Sequence, residues 1–249
     1  MTATSNEKIG YPPLDTVKAV AGDIWIVDGA PLHPGGITMP VRMTVVRLSS
    51  GELWLHSPIR FDAELAAHLA ELGPVRHLVA PNVGHWTLIA DWQRHFPEAV
   101  AWAAPKLTQR RQVRKSGVRF DQELTEDSAP WHDDLDLMVV PGAGGFREVA
   151  FLHRKSRTLI LTDLVQSLEP DRVPARTRLF ARAIGTLYPR ATAPIYLRAG
   201  LRVGGRSTRQ ALARLIGWQP ERVIFAHGRW FERNGTAALR QAWGSLADA

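Results

Sequence analysis

The sequence predicts a layered α/β (α+β) fold in a single domain, and three observations carry that prediction. The chain opens on β-type runs bounded by turn residues, its middle alternates helical and strand periodicity, and its second half repeats that alternation in different letters. At 249 residues and 45% hydrophobic content the chain can build one large core or two tightly fused halves. We expect residues 20–249 to form the domain, with a helical insertion at about 170–205. Residues 1–19 read as a poorly ordered lead-in, polar as far as Asp15 and carrying Pro12 and Pro13.

The elements follow in order. Ile24-Trp25-Ile26-Val27, Met43 to Leu48 and Glu52-Leu53-Trp54-Leu55 are rich in β-branched and aromatic residues, and Ser49-Ser50-Gly51 makes a tight turn between the last two. This opening is expected to be antiparallel. Phe61, Leu65, Leu69 and Leu72 then recur at helical spacing, and Gly73-Pro74 stops the helix. His77 to Ala80 is a short buried strand, Pro81 to His85 a loop, Trp86 to Phe96 a helix and Val100 to Ala103 a strand. In the second half, Leu135 to Val140 is a strand before the glycine-rich bend at 141–145. Glu148 to Leu152 and Thr158 to Thr162 pair around a turn at 154–157. Residues 170–220 are largely helical but broken by Pro174, Pro189, Pro194 and Gly204-Gly205. Arg222 to Ala226 is a strand, and Thr236 to Leu246 closes as a helix. Ser128-Ala129-Pro130 reads as the waist between two half-sheets.

Composition excludes several chemistries. With no cysteine there is no disulfide, thiolate-zinc site or cysteine nucleophile, and any metal must rest on His, Asp, Glu, Asn or water. No run approaches the ~20 apolar residues of a membrane span, and no basic-then-apolar leader opens the chain. A cytoplasmic protein is expected. The net charge of +7 is concentrated in arginine-rich stretches at 106–119 and 172–209. With no nucleic-acid module beside them they read as solvated helix faces, so neither nucleic acid nor membrane is an expected partner. Leu179-Phe180 and Ile184 to Tyr188 leave room for a homodimer.

Three polar residues each follow an apolar strand. They are His85 after Leu78-Val79-Ala80-Pro81, Asp163 after Leu159-Ile160-Leu161-Thr162, and His227 after Val223-Ile224-Phe225-Ala226. Strand ends along one sheet edge converge in layered folds, so the three can meet in one pocket. Two imidazoles and a carboxylate suit zinc or iron, and they also suit acid-base work. The same residues allow a metal-free polar cluster, with Asp163 as the N-cap of a following helix. His56 also ends a strand. Trp86 after His85 and Trp230 after His227-Gly228 would bracket an apolar cleft for an organic ligand. His153 reads as exposed, the acidic run at 132–136 as a surface turn, and the glycines at 142–145 lack the Lys-Ser/Thr of a phosphate loop.

The order of hairpin, helix, strand with His loop, Pro-Gly bend, strand with Asp and strand with His-Gly resembles the metallo-β-lactamase superfamily. The segments Pro81 to His85 with Asp91-Trp92, Phe151 to Arg154 running to Thr162-Asp163-Leu164, and Ala226-His227-Gly228 are similar to a bacterial branch of it classed as a domain of unknown function. The resemblance covers roughly residues 20–246 and implies a four-layer αββα sandwich. It also implies a ligand motif, His-x-His-x-Asp-His, of which only the last position survives, as His85. Ala80, Asn82 and Gly84 stand where the other three ligands would be, and Ala143 stands where a histidine follows Pro-Gly. What remains, His85, Asp163 and His227, is the larger part of one half of a two-metal centre.

The implied function is a hydrolase with one divalent metal, zinc or iron, on His85, Asp163 and His227, with Asp163 and His227 catalytic. Asn82, His56, Trp86 and Trp230 would contact a small-molecule ester, lactone, amide or phosphoester, and Asn82 would hold the metal's water or act as a weak fourth ligand. Substrate would enter between residues 31–40 and the helical insertion. The alternatives are a non-catalytic small-molecule or anion-binding protein on the same scaffold, and a mononuclear non-haem iron enzyme.

Overall fold

The computed structural model describes residues 9–125 and 130–247. The N-terminal half begins with β1 (Lys18–Ala21), β2 (Ile24–Leu32), β3 (Met39–Arg47) and β4 (Leu53–His56), followed by α1 (Ala63–Leu72), β5 (Val75–Ala80), α2 (Ile89–His95), β6 (Val100–Ala103), α3 (Arg111–Ser116) and β7 (Gln122–Glu123). These strands form one sheet in sequence order. β1 to β4 are antiparallel, as expected, and β4 to β7 are parallel, because α1, α2 and α3 lie in the three crossovers that these strands need. Asp62 starts α1 by accepting from Leu65 N at 2.9 Å.

The C-terminal half supplies β8 (Leu135–Pro141), β9 (Arg147–His153), β10 (Thr158–Ile160), α4 (Ala175–Ile184), α5 (Ile195–Val203), α6 (Gly205–Gly217), β11 (Arg222–Ile224) and α7 (Gly235–Trp243). Its sheet runs β11-β10-β9-β8, antiparallel except for the parallel pair β10–β11. Period-two alternation decides which way each side chain faces. Leu135, Leu137, Val149 and Phe151 enter the core shared with the first sheet, whereas Met138, Val140, Ala150 and Leu152 enter a second core beneath Leu212, Leu215 and Leu239 of α6 and α7. With Leu65, Leu69, Ile89 and Trp92 of α1 and α2 packed on the first sheet, the result is an αββα sandwich.

Several expectations are corrected. Part of the lead-in is tied down: Gly10 N donates to Arg172 O at 2.9 Å, Asp15 N to Asp28 O at 2.8 Å, and β1 begins at Lys18. Residues 1–8, and Ser128 and Ala129 of the supposed waist, lie outside the described residues. No helix follows Asp163, so it is not an N-cap. His153 is buried rather than exposed, its Nδ1 lying 2.8 Å from Ser156 Oγ.

Candidate metal centre

The three residues meet, but not along one sheet edge. His85 follows β5 of the first sheet, whereas Asp163 and His227 follow β10 and β11 of the second. Each sits past the carboxyl end of a strand in a parallel pair, so the two sheets present their strand ends to one cleft. His85 Nε2 lies 3.3 Å from Asp163 Oδ2, and His227 Nε2 lies 3.3 Å from Asp163 Oδ1. The two imidazole centroids are 5.1 Å apart.

The far nitrogen of each ring is held. His227 Nδ1 is 2.7 Å from the carbonyl of Pro40 and His85 Nδ1 is 2.6 Å from Ser57 Oγ. A carbonyl only accepts, so His227 Nδ1 carries the proton. Its Nε2 must then either bear a second proton or turn a lone pair on a carboxylate oxygen. A cation among the three ligands resolves that opposition. The three donor atoms lie within 4.8 Å of one another. Each Nε2 stands 3.3 Å from a different oxygen of Asp163, close enough for an ion with ~2.0–2.2 Å bonds to lie between the two rings and the carboxylate. The donor set and its anchored outer nitrogens fit a divalent metal.

Behind Asp163 lies a polar network. Gln166 Nε2 donates to Asp163 Oδ1 at 2.9 Å and Asn82 Nδ2 to Asp163 Oδ2 at 2.8 Å. Glu148 is fully buried and accepts from the backbone N–H groups of Thr162, Asp163 and Leu164 at 2.7, 2.8 and 3.4 Å. Burial, and then the charge of Asp163, push the Glu148 carboxyl above its ordinary range against the pull of those N–H donors. Burial works to raise Asp163 as well, but His85 and His227 outweigh it and hold the carboxyl well below its usual range. For His85 burial works downward, yet the Asp163 carboxylate prevails and raises the imidazole.

The four residues assigned to substrate do not line the cleft. Asn82 is fully buried and its Oδ1 already accepts from Gly84 N and His85 N at 2.8 and 3.1 Å, so it has no oxygen to offer a metal or its water. His56 lies in an aromatic cluster, stacked on Trp54 and edge-on to Phe151. Trp86 turns inward and donates to Val83 O, and Trp230 packs against both cores. The cleft, about 470 Å³, is walled instead by Leu32, Met39, Val41, Ile59, Leu88 and Tyr196. Pro34 and Met39 of the 31–40 segment and Tyr196 of α5 also line the cleft.

Sequence reasoning missed Ser57, Gln166 and Glu148. Glu148 left a signal: a lone acid heading the apolar run Val149 to Leu152 is costly to bury without a purpose. Ser57 and Gln166 left none.

The fold is that of the metallo-β-lactamases. Solved relatives in structure include a metallo-β-lactamase from Pontibacter korlensis (TM-score 0.62, 14% identity, 94% of this chain and 99% of that one). DIM-1 metallo-β-lactamase superposes at TM-score 0.64 with 15% identity in one structure and 0.63 with 16% in another. FIM-1 from Pseudomonas aeruginosa, in its mono-zinc form, gives TM-score 0.57 and 13% identity; it and DIM-1 share 94% of this chain and 96% of theirs. No curated protein matches. The chain belongs to the family described as Domain of unknown function (DUF4336), which matches residues 21–227.

Proposed function

We propose that the protein is a single-metal hydrolase acting on a small ester, lactone, amide or phosphoester, in the cytoplasm that a cysteine-free chain favours. The observation that carries this reading is His227. Its Nδ1 is committed to Pro40 O, which leaves Nε2 facing Asp163 in a geometry a divalent ion satisfies. His85, Asp163 and His227 would hold the ion. When bound, such an ion polarises a carbonyl or phosphoryl oxygen and acidifies water toward pKa ~7. The mono-zinc form of FIM-1 gives the stoichiometry a precedent on this fold.

The chain's own groups supply the rest. Met39, Val41, Ile59 and Leu88 would seat the apolar part of a substrate and exclude water. Asp163, aimed by Asn82 and Gln166 and kept ionised by the two imidazoles, would supply the negative charge that holds the ion, and the Tyr196 hydroxyl at the mouth would orient a polar group.

One observation favours the second reading, a non-catalytic binding protein: Asn82 and Gln166 already satisfy both Asp163 oxygens without any ion. Metal analysis after metal-supplemented purification, with a panel of ester, lactone and phosphoester substrates, separates the two. We expect about one zinc or iron per chain, lost in His227→Ala together with turnover. Absence of stoichiometric metal ends the hydrolase reading. An iron-dependent visible band that responds to oxygen would replace it with the non-haem iron enzyme.

A further inference from the structure

Between Arg172 and Pro220 the chain holds ten arginines and no lysine, aspartate or glutamate. The net charge of +7 is smaller than that, so the rest of the protein is net acidic. From sequence these arginines pass for solvated helix faces; that reading lacks the exposure of their neighbours. On the wheel of α5, Ile195, Tyr196, Ala199, Arg202 and Val203 fall on one side and all are exposed, while Leu197 and Leu201 opposite are buried. A helix that is apolar on both sides belongs in a core or against lipid. On α4, Leu179 is 71% exposed on the same face as Arg176, Arg178 and Arg182. Among the described residues, every large hydrophobic side chain that is exposed lies between Leu179 and Val203.

The two helices flank the cleft mouth. Tyr196 of α5 is part of its wall. At the other rim, Thr38 N donates to Thr177 Oγ1 of α4, and the Arg176 guanidinium lies over Gly36.

We propose that this face docks on an anionic lipid surface, with arginines on the headgroups, Leu179, Ile195 and Val203 entering the interface, and the cleft mouth turned toward the bilayer. A second copy fits the face poorly, because it would bring arginine-rich helices against their own like. Nucleic acid is held by arginines with stacking aromatics. The face does expose Tyr188 and Tyr196, which also suit a membrane interface, but its aliphatic members Leu179, Ile195 and Val203 gain from acyl chains and not from bases.

The test is co-sedimentation of the full chain, with a chelator present, on vesicles of phosphatidylcholine alone or mixed with phosphatidylglycerol. We expect binding to the mixed vesicles only, weakened as salt rises from ~0.05 to ~0.3 M. The double variant Ile195→Ser/Val203→Ser should lose about tenfold in partitioning. Arg178→Glu/Arg182→Glu should abolish binding, with circular dichroism unchanged in both. The proposal is overturned by no binding to the mixed vesicles at low salt, or by binding that the serine variant leaves intact, which is adsorption by charge alone. Retention on an RNA oligomer in preference to vesicles, or a dimer in light scattering that the arginine variant dissolves, also overturns it. Because the chelator removes any metal, this outcome is independent of the hydrolase reading.

Discussion

Asp163 gathers four neighbours, two imidazoles and two amides, and His85, His227 and Asn82 among them are each held by a further contact. For His85 that anchor is Ser57, whose backbone is in the left-handed region (φ +55°) and whose hydroxyl meets Nδ1. Groups that orient a ligand are worth ~10–100-fold in metal affinity. We therefore expect Ser57→Ala to weaken zinc binding by about that factor, measured by chelator competition, without removing a ligand. Glu148 serves the loop rather than the ion. Glu148→Ala would strand three backbone N–H groups and should cost about 3–5 kcal/mol in urea unfolding, with Glu148→Gln losing less because it keeps an acceptor. The ligand trio was legible because His85, Asp163 and His227 each follow an apolar run. Their supports were not: Pro40 serves through a carbonyl that every residue owns, and Gln166 and Ser57 are common loop residues.

At the scale of elements, the long apolar strands and amphipathic helices were readable, since burial on one face writes a period into the sequence. β1 and β7 were missed because neither is deeply buried, and β7 is two exposed residues. α3 buries only Val113 among arginines and a lysine, too little for a helical pattern. The site lies where two strand pairs end, and Gly228 closes one of them. Its φ of +99° suits glycine, and a side chain there would run into the carbonyl of Ser167. We expect Gly228→Ala to cost about 2–4 kcal/mol and to lower metal affinity by displacing the adjacent His227, read by thermal unfolding and zinc titration on the same sample.

Across the whole molecule, three buried histidines set the response to acid. Burial is the main cause that lowers His56, His77 and His153, His56 furthest. They stay neutral in the fold, while in the unfolded chain they take up protons below pH ~6.5. The stability they contribute is present above that pH and is lost as pH falls toward their folded values. His85, raised, contributes in the opposite sense below the same pH. With three such histidines against one, the unfolding free energy read from urea titrations should fall from pH 7.5 to 5.5, by up to about 1.4 kcal/mol per pH unit for each neutral histidine. His56→Phe should flatten the slope, since His56 Nε2 has no hydrogen-bond partner to lose and its ring already stacks on Trp54. Glu148, finally, has a consequence for how the protein meets a protease. A loop pinned by its own buried glutamate takes shape without waiting for an ion. Under the single-metal reading proposed above, the loop would be shaped before any ion arrives, and limited proteolysis with and without a chelator should then cut the protein alike.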